Sequence, residues 1–209
     1  SAAISDGRRR LATRCENTRS INEVAYVEMP TEAGTVVAFV GAHADEYGPV
    51  DVTEACEGTN RVVVLDQVTD PHNFGAILRS AAVFGAGALV TTDRNSPPLG
   101  GVLAKAASGG LERVRIAKVT NLVRAIEELK GLGFEVIGLD GEGEMSLPEM
   151  KLSPRVALVL GAEGAGLRRL TREHCDLLAR LPAAGEMKSL NVSNAAAVAL
   201  YELFRRLGS

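Results

Sequence analysis

Three polar islands interrupt an otherwise aliphatic chain, and each holds residues able to do chemistry. The stretch "SLNVSNAAAVALYE", residues 189 to 202, sets Ser189, Asn191, Ser193 and Asn194 at the mouth of an alanine-rich helix. Hydroxyls and carboxamides gathered there can orient a polar substrate; the plainer role is helix capping, expected of Ser193 or Asn194. In "LVLGAEGAGL" the glycines at 161, 164 and 166 do not follow GxGxxG, and no Lys-Ser/Thr pair follows, so neither nucleotide loop is matched. Turn glycines account for that stretch but not for Glu163, a carboxylate just past a buried strand, where α/β sheets bind ligands. In "DQVTDPHNFGAILRS", Asn73 reads first as a helix cap. Arg79 lies off the apolar stripe, one turn beyond Gly75, whose missing side chain is expected to leave open space on that face. Its planar guanidinium could clamp a phosphate through two parallel hydrogen bonds. His72 has no acidic or thiol partner at ligand spacing, so no metal site is expected.

The elements that must position these groups follow from the hydrophobic pattern. "RVVVLD", "GALVTT", "FEVIGLD" and "RVALVLG" are short continuous apolar runs, as expected of strands buried on both faces of a parallel sheet. Between them lie helical stretches: Phe74, Ile77, Leu78, Ala81 and Ala82 keep helical spacing, and so do Leu122, Val123, Ile126 and Leu129. The alternation predicts an α/β domain with a parallel sheet and helices on both faces, over residues 61–209. Residues 1–60 lack that periodicity; a strand-like "TVVAFVGA" sits there among Gly, Pro and acidic residues.

Composition narrows the classes. The 209 residues suffice for one sizeable core and a small appendage, and with 46% hydrophobic residues, 4% aromatic and no Trp, that core must be aliphatic. Cys15, Cys56 and Cys175 form no CxxC pair, so a reducing cytoplasm is expected rather than a disulfide framework or zinc ribbon. No apolar run approaches the ~20 residues that span a bilayer. The net charge of −3 is unevenly spread: residues 20 to 60 hold eight acidic side chains and no Lys or Arg, while residues 61 to 209 hold 18 basic and 16 acidic ones. That distribution permits a polyanion partner, since binding needs a local patch and not a basic total. The five arginines of the first 19 residues read equally as a solvated tail or an RNA-contacting arm.

The segments "DPHNFGAILRSA", "LGAEGAGLRRLTREHC" and "LPAAGEMKSLNVSNAAAVALYE" resemble, in order and spacing, the three motifs of the SpoU (TrmH-like) family of RNA ribose 2′-O-methyltransferases, within the SPOUT class. The resemblance spans about residues 61 to 207 and is nearest to bacterial enzymes that methylate a guanosine of 23S ribosomal RNA. It implies a C-terminal trefoil knot, an exception to the unknotted rule, with S-adenosylmethionine bound bent within it. By motif position the cofactor contacts fall on Gly161, Leu181 and Leu190. Arg79 is implied as the principal catalytic residue, with Asn73, Glu163, Ser189 and Asn191 organising the methyl-transfer site and no metal required. The last helix, with Ala197, Leu200, Tyr201 and Phe204 at apolar spacing, is implied to be buried and to contribute to a homodimer.

Two departures stand out. Ala183 replaces the methionine usual after the motif's proline, here Pro182, which loosens the pocket there. Residues 1–60 are short and acidic for the family's N-terminal RNA-recognition domain, so a reduced or incomplete version is expected. Ribosomal RNA is favoured as substrate over transfer RNA. The alternatives are a tRNA ribose 2′-O-methyltransferase or a noncatalytic knotted RNA-binding module; a nucleotide-dependent oxidoreductase would need a phosphate loop after the first strand, where "DQVTDPHNFG" stands.

Overall fold

The computed structural model describes residues 18–21, 24–31, 34–39, 50–185 and 190–208. The chain divides into two compact units, Ser1–Glu46 and Tyr47–Ser209. In the first, strands β1 (Thr18–Ile21), β2 (Val24–Thr31) and β3 (Gly34–Phe39) pair antiparallel in chain order. The second unit begins earlier than the change of pattern at Asn60. Helix α1 (Val52–Ala55), capped by Asp51, already belongs to it, with Val52, Ala55 and Cys56 buried in its core.

The second unit is built on a seven-stranded sheet ordered β6-β5-β4-β9-β7-β10-β8, parallel throughout. Its central strands are the four apolar runs: β4 (Arg61–Asp66), β5 (Ala88–Thr92), β7 (Glu135–Leu139) and β9 (Val156–Gly161). The outer strands β6 (Arg115–Val119), β8 (Met145–Ser146) and β10 (Leu177–Arg180) are shorter or less fully buried. Alternate residues of each central strand feed two separate cores. Val63 and Leu65 of β4 face the helices α2 (Pro71–Val83), α3 (Gly101–Ala107) and α6 (Val192–Leu207); Val62 and Val64 face α1 and α4 (Leu122–Gly131). Each such side chain taken out of water stabilises the fold by about 1.5–3 kcal/mol before the cost of ordering it. A short helix α5 (Arg169–His174) packs beside α4.

Two packing expectations are corrected. Gly75 does not leave space open: a Cβ there would lie 2.6 Å from both the Ala106 Cβ and the Leu103 carbonyl oxygen, so the glycine lets α2 and α3 meet backbone to backbone. The buried stripe of α6 is Val192, Ala196, Ala199, Leu200 and Leu203, while Tyr201 and Phe204 are exposed. Arg61, buried at the start of β4, donates to the Phe84 carbonyl at 2.7 Å and to the Gly208 carbonyl, tying the ends of α2 and α6 together. Those carbonyls are the acceptors a helix leaves unpaired at its C-terminus, and burial lowers the guanidinium's pKa.

Candidate functional site

Glu163 joins two of the sequence islands to the third. Its Oε2 accepts hydrogen bonds from the Asn73 and Asn191 side-chain Nδ2 groups, each at 3.3 Å. Asn73 is free to do this because it is not the cap of α2. Asp70 is, accepting the His72 N–H at 3.0 Å with Pro71 in the first turn, which places Asn73 inside the helix with its carboxamide outward. The cap of α6 is likewise neither Ser193 nor Asn194 but Asn191. Its Oδ1 accepts the Ser193 N–H at 2.9 Å and the Ser193 hydroxyl at 2.6 Å, which leaves its Nδ2 for Glu163. The first turns of α2 and α6 are thus held to one carboxylate on the loop after β9.

That loop is shaped by its glycines. Ala162 and Gly166 exchange backbone hydrogen bonds at 3.1 and 2.8 Å, closing a tight turn. Gly164 and Gly166 take φ of 77° and 69°, where a side chain is strained. A Cβ on Gly161 would stand 2.1 Å from the Gly166 carbonyl carbon, so no side chain fits. The loop is anchored below by a pair the sequence reading passed over: the fully buried Asp66 accepts from the Arg168 Nε at 2.6 Å and the Arg168 N–H at 3.0 Å. Its signal was present, since Asp66 ends "RVVVLD" with an acid where a buried strand stops. Asp140, just after β7, follows the same rule; it and Glu142 receive Arg172 at 3.3 and 3.4 Å.

Between these loops opens a cleft of about 830 Å³ at the carboxyl ends of β9, β7 and β10. Gly161, Leu181 and Leu190 all line it, as does Ala183. Its walls mix the glycine-rich stretch 161–167 and residues 181–185 with apolar side chains such as Leu139 and Leu160, the carboxylates Asp140, Glu142 and Glu163, and the arginines Arg172 and Arg180. This is the size and mixture of a site for a mid-sized organic ligand, where Glu163, with no ion-pair partner among the described residues, offers a carboxylate to a cationic group.

Of the site residues expected from sequence, Glu163 lines the cleft, and Asn73 and Asn191 are brought to it. Arg79 lies further along α2, exposed, and has no ion-pair partner among the described residues. Ser189 lies outside the described residues. No group of three or more His, Cys, Asp or Glu able to hold a metal occurs among the described residues. Burial pushes the Cys175 thiol up to about 12 and the Cys56 thiol to about 11, so neither supplies a thiolate nucleophile near neutral pH. No helix among the described residues is long and apolar enough to cross a membrane.

Comparison with known proteins converges on one group. Residues 60–201 match the model of the SpoU rRNA Methylase family. A Xylella fastidiosa (strain 9a5c) protein named 23S rRNA (guanosine-2'-O-)-methyltransferase RlmB is 46% identical over 162 residues, 78% of this chain and 65% of the relative. A Pseudomonas putida protein of the same name is 44% identical over 202 residues, 94% of this chain and 82% of the relative, so that match reaches into the first unit. The chain spans somewhat less than two thirds of the Xylella relative's length, at 65%. Among solved structures, an AdoMet-bound rRNA methyltransferase from Sinorhizobium meliloti superposes with TM-score 0.70 at 29% identity, covering 78% of this chain and 62% of that one. The SpoU methyltransferase AviRb from Streptomyces viridochromogenes, in complex with AdoMet, gives TM-score 0.64 at 26% identity, covering 82% and 64%.

Proposed function

The chain belongs to the SpoU rRNA Methylase family, and from that premise we propose that it transfers a methyl group from S-adenosylmethionine to a ribose 2′-hydroxyl, the target being a guanosine of 23S ribosomal RNA. The observation that carries the reading is the convergence of Asn73 and Asn191 on Glu163 at the wall of the cleft. It joins the three motifs at one point, beside a space that fits the cofactor. The relatives' printed names supply the substrate, and two other proteins of similar structure are bound to AdoMet.

The cleft suits S-adenosylmethionine in three ways. Its Gly161–Gly166 and Leu181–Gly185 walls offer backbone donors and acceptors, its leucines offer an apolar surface, and Glu163 complements a sulfonium. When bound, the cofactor supplies an electrophilic methyl, so the chain's own residues need only align and stabilise the acceptor. Glu163 fixes the relative positions of the loop and two helix starts, keeping the acceptor side of the cleft in register with the cofactor side. We assign Arg79 to the target phosphate and to the charge that develops on the ribose oxygen. A guanidinium stays protonated at neutral pH and so acts by charge and hydrogen bonds rather than as a base. Ser189 and Asn191 border the acceptor in the same reading.

The trefoil knot belongs to this proposal. One close backbone approach between segments distant in the chain supports it: a Cβ on Gly143 would lie 2.8 Å from the Ala179 carbonyl carbon. So does a homodimer. Val198, Tyr201 and Phe204 on α6 are exposed together with Val83 at the end of α2, and Phe84 packs edge-on against Tyr201, with ring centroids 5.8 Å apart. Residues 1–60 would include an RNA-recognition segment, and the cytoplasm is the compartment the substrate requires.

Calorimetry tests the cofactor half of the proposal. S-adenosylmethionine should bind in the micromolar range, about 8 kcal/mol, and NAD should not. Binding of NAD without S-adenosylmethionine would overturn it.

A further inference from the structure

We propose that a second cleft, beside the Asp66–Arg168 pair, holds a backbone phosphate of the substrate RNA; the proposal rests on the reading of the chain as an RNA methyltransferase. The cleft, about 460 Å³, opens where β5 and β6 end, and its lining includes three arginines and no carboxylate. It thereby differs in charge from the cofactor cleft, whose lining sets Asp140, Glu142 and Glu163 against Arg172 and Arg180.

Three independent sets of donors meet there. Arg94 is exposed, lines the cleft and has no ion-pair partner among the described residues. Arg168 spends its Nε and backbone N–H on Asp66, which leaves the terminal guanidinium nitrogens. Leu122 and Val123, also in the lining, open the ten-residue helix α4, whose first turn carries no acidic residue. The Asn121 cap takes the Arg124 N–H at 3.2 Å, so the N–H groups of Leu122 and Val123 have no partner within the helix and carry the positive end of its dipole. The third set is Thr171 alone, which lines the cleft at 1% exposure with its hydroxyl lacking any hydrogen-bond partner among the described residues. A buried hydroxyl left so is costly unless something supplies the missing partner.

The choice of a polymer over a free anion follows from the chain path. Residues 161–167 line the cofactor cleft and residues 168–171, directly following, line this one. Both clefts open at the carboxyl edge of one sheet. A strand of RNA that presents a ribose at the first is carried along that edge, and its phosphates meet the second.

The test is binding of a labelled 23S rRNA fragment to the full chain over a range of salt, for wild type, Arg94→Ala, Arg94→Lys and Arg113→Ala. Arg113 is exposed before β6, at the opposite end of that strand. Losing one phosphate contact lowers the slope of log affinity against log salt by ~0.7–0.9. Arg94→Ala should show that change and a several-fold rise in KM for RNA, with cofactor affinity and melting temperature as in wild type. Arg94→Lys should keep the slope, because counterion release needs only the charge, and Arg113→Ala should match wild type. Arg94→Ala with the wild-type slope and affinity overturns the proposal. So does tight binding of inorganic pyrophosphate that depends on Arg94 while RNA binding does not, which would assign the cleft to a free anion. If the wild type transfers no methyl group yet Arg94→Ala loses the slope, the functional reading fails and the phosphate cleft stands.

Discussion

At the scale of single residues, Glu163 is where the three motifs become one site. Its two carboxamide partners both donate to the same oxygen, each at 3.3 Å, so one acceptor atom joins them. Glu163→Gln should retain part of the activity through its remaining carbonyl oxygen, whereas Glu163→Ala should cost about 10² in methyl transfer. Because Glu163 is exposed, both variants should melt as the wild type does, and methyl-transfer rates measured beside melting curves check the split. The carboxylate was legible in the sequence because it stands just past a buried strand, at the edge where α/β sheets bind ligands, although Asp66 and Asp140 at like positions serve to anchor arginines. The partners were legible only as polar residues in apolar surroundings. Their capping roles came out differently because a cap is decided by which residue holds extended backbone before the first turn: Pro71 hands that position to Asp70, and Asn191 takes it ahead of Ser193.

At the scale of elements, the interior was readable and the periphery was not. β4, β5, β7 and β9 announced themselves as continuous apolar runs because both their faces are buried. β6 carries Arg115 and Lys118 at the sheet's edge, and β10 is four residues long, so neither leaves a strand pattern distinct from its surroundings. The contact of α2 with α3 was also hidden, since a glycine is silent about whether its missing Cβ leaves room or removes it. Gly75→Ala must push those helices apart and should destabilise the fold by about 1–3 kcal/mol, read as a lower midpoint in urea. The end of α6 gives a pH dependence. The Arg205 hydrogen bonds, outweighing the opposing effect of burial, hold the Glu202 carboxyl below its ordinary value of 4.5. A depressed carboxylate contributes stability that is fully present above its unfolded pKa and is lost as pH falls through the folded one. The melting difference between wild type and Glu202→Gln should therefore be steady at neutral pH and shrink below about 4.

At the scale of the whole molecule, the stripe on α6 that the sequence offered for burial is divided between two duties. Leu200 faces the chain's own core, while Tyr201 and Phe204 remain exposed beside Val83; periodicity alone could not separate them, because adjacent apolar positions lie on both sides of the boundary. If that surface is an isologous interface, sedimentation at tens of micromolar, an order-of-magnitude working concentration, should give a dimer. Tyr201→Glu with Phe204→Glu should give a folded monomer. The first unit left little periodicity in the sequence: of its three strands only β3 was legible, as the run "TVVAFVGA", and the pairing of all three comes from the structure. The central claim is that the joined motifs perform ribose methylation, with Arg79 acting on the RNA and not on the cofactor. The most direct measurement incubates 23S ribosomal RNA with S-adenosylmethionine and either wild type or Arg79→Ala, maps methylated nucleosides by mass spectrometry, and titrates cofactor into both proteins. The expected result is one 2′-O-methylguanosine formed by the wild type, a rate lower by ~10²–10³ for Arg79→Ala, and equal cofactor affinities. A methyl group on a base or on no nucleoside at all, or an Arg79→Ala protein that works at the wild-type rate or loses the cofactor together with its activity, would contradict it.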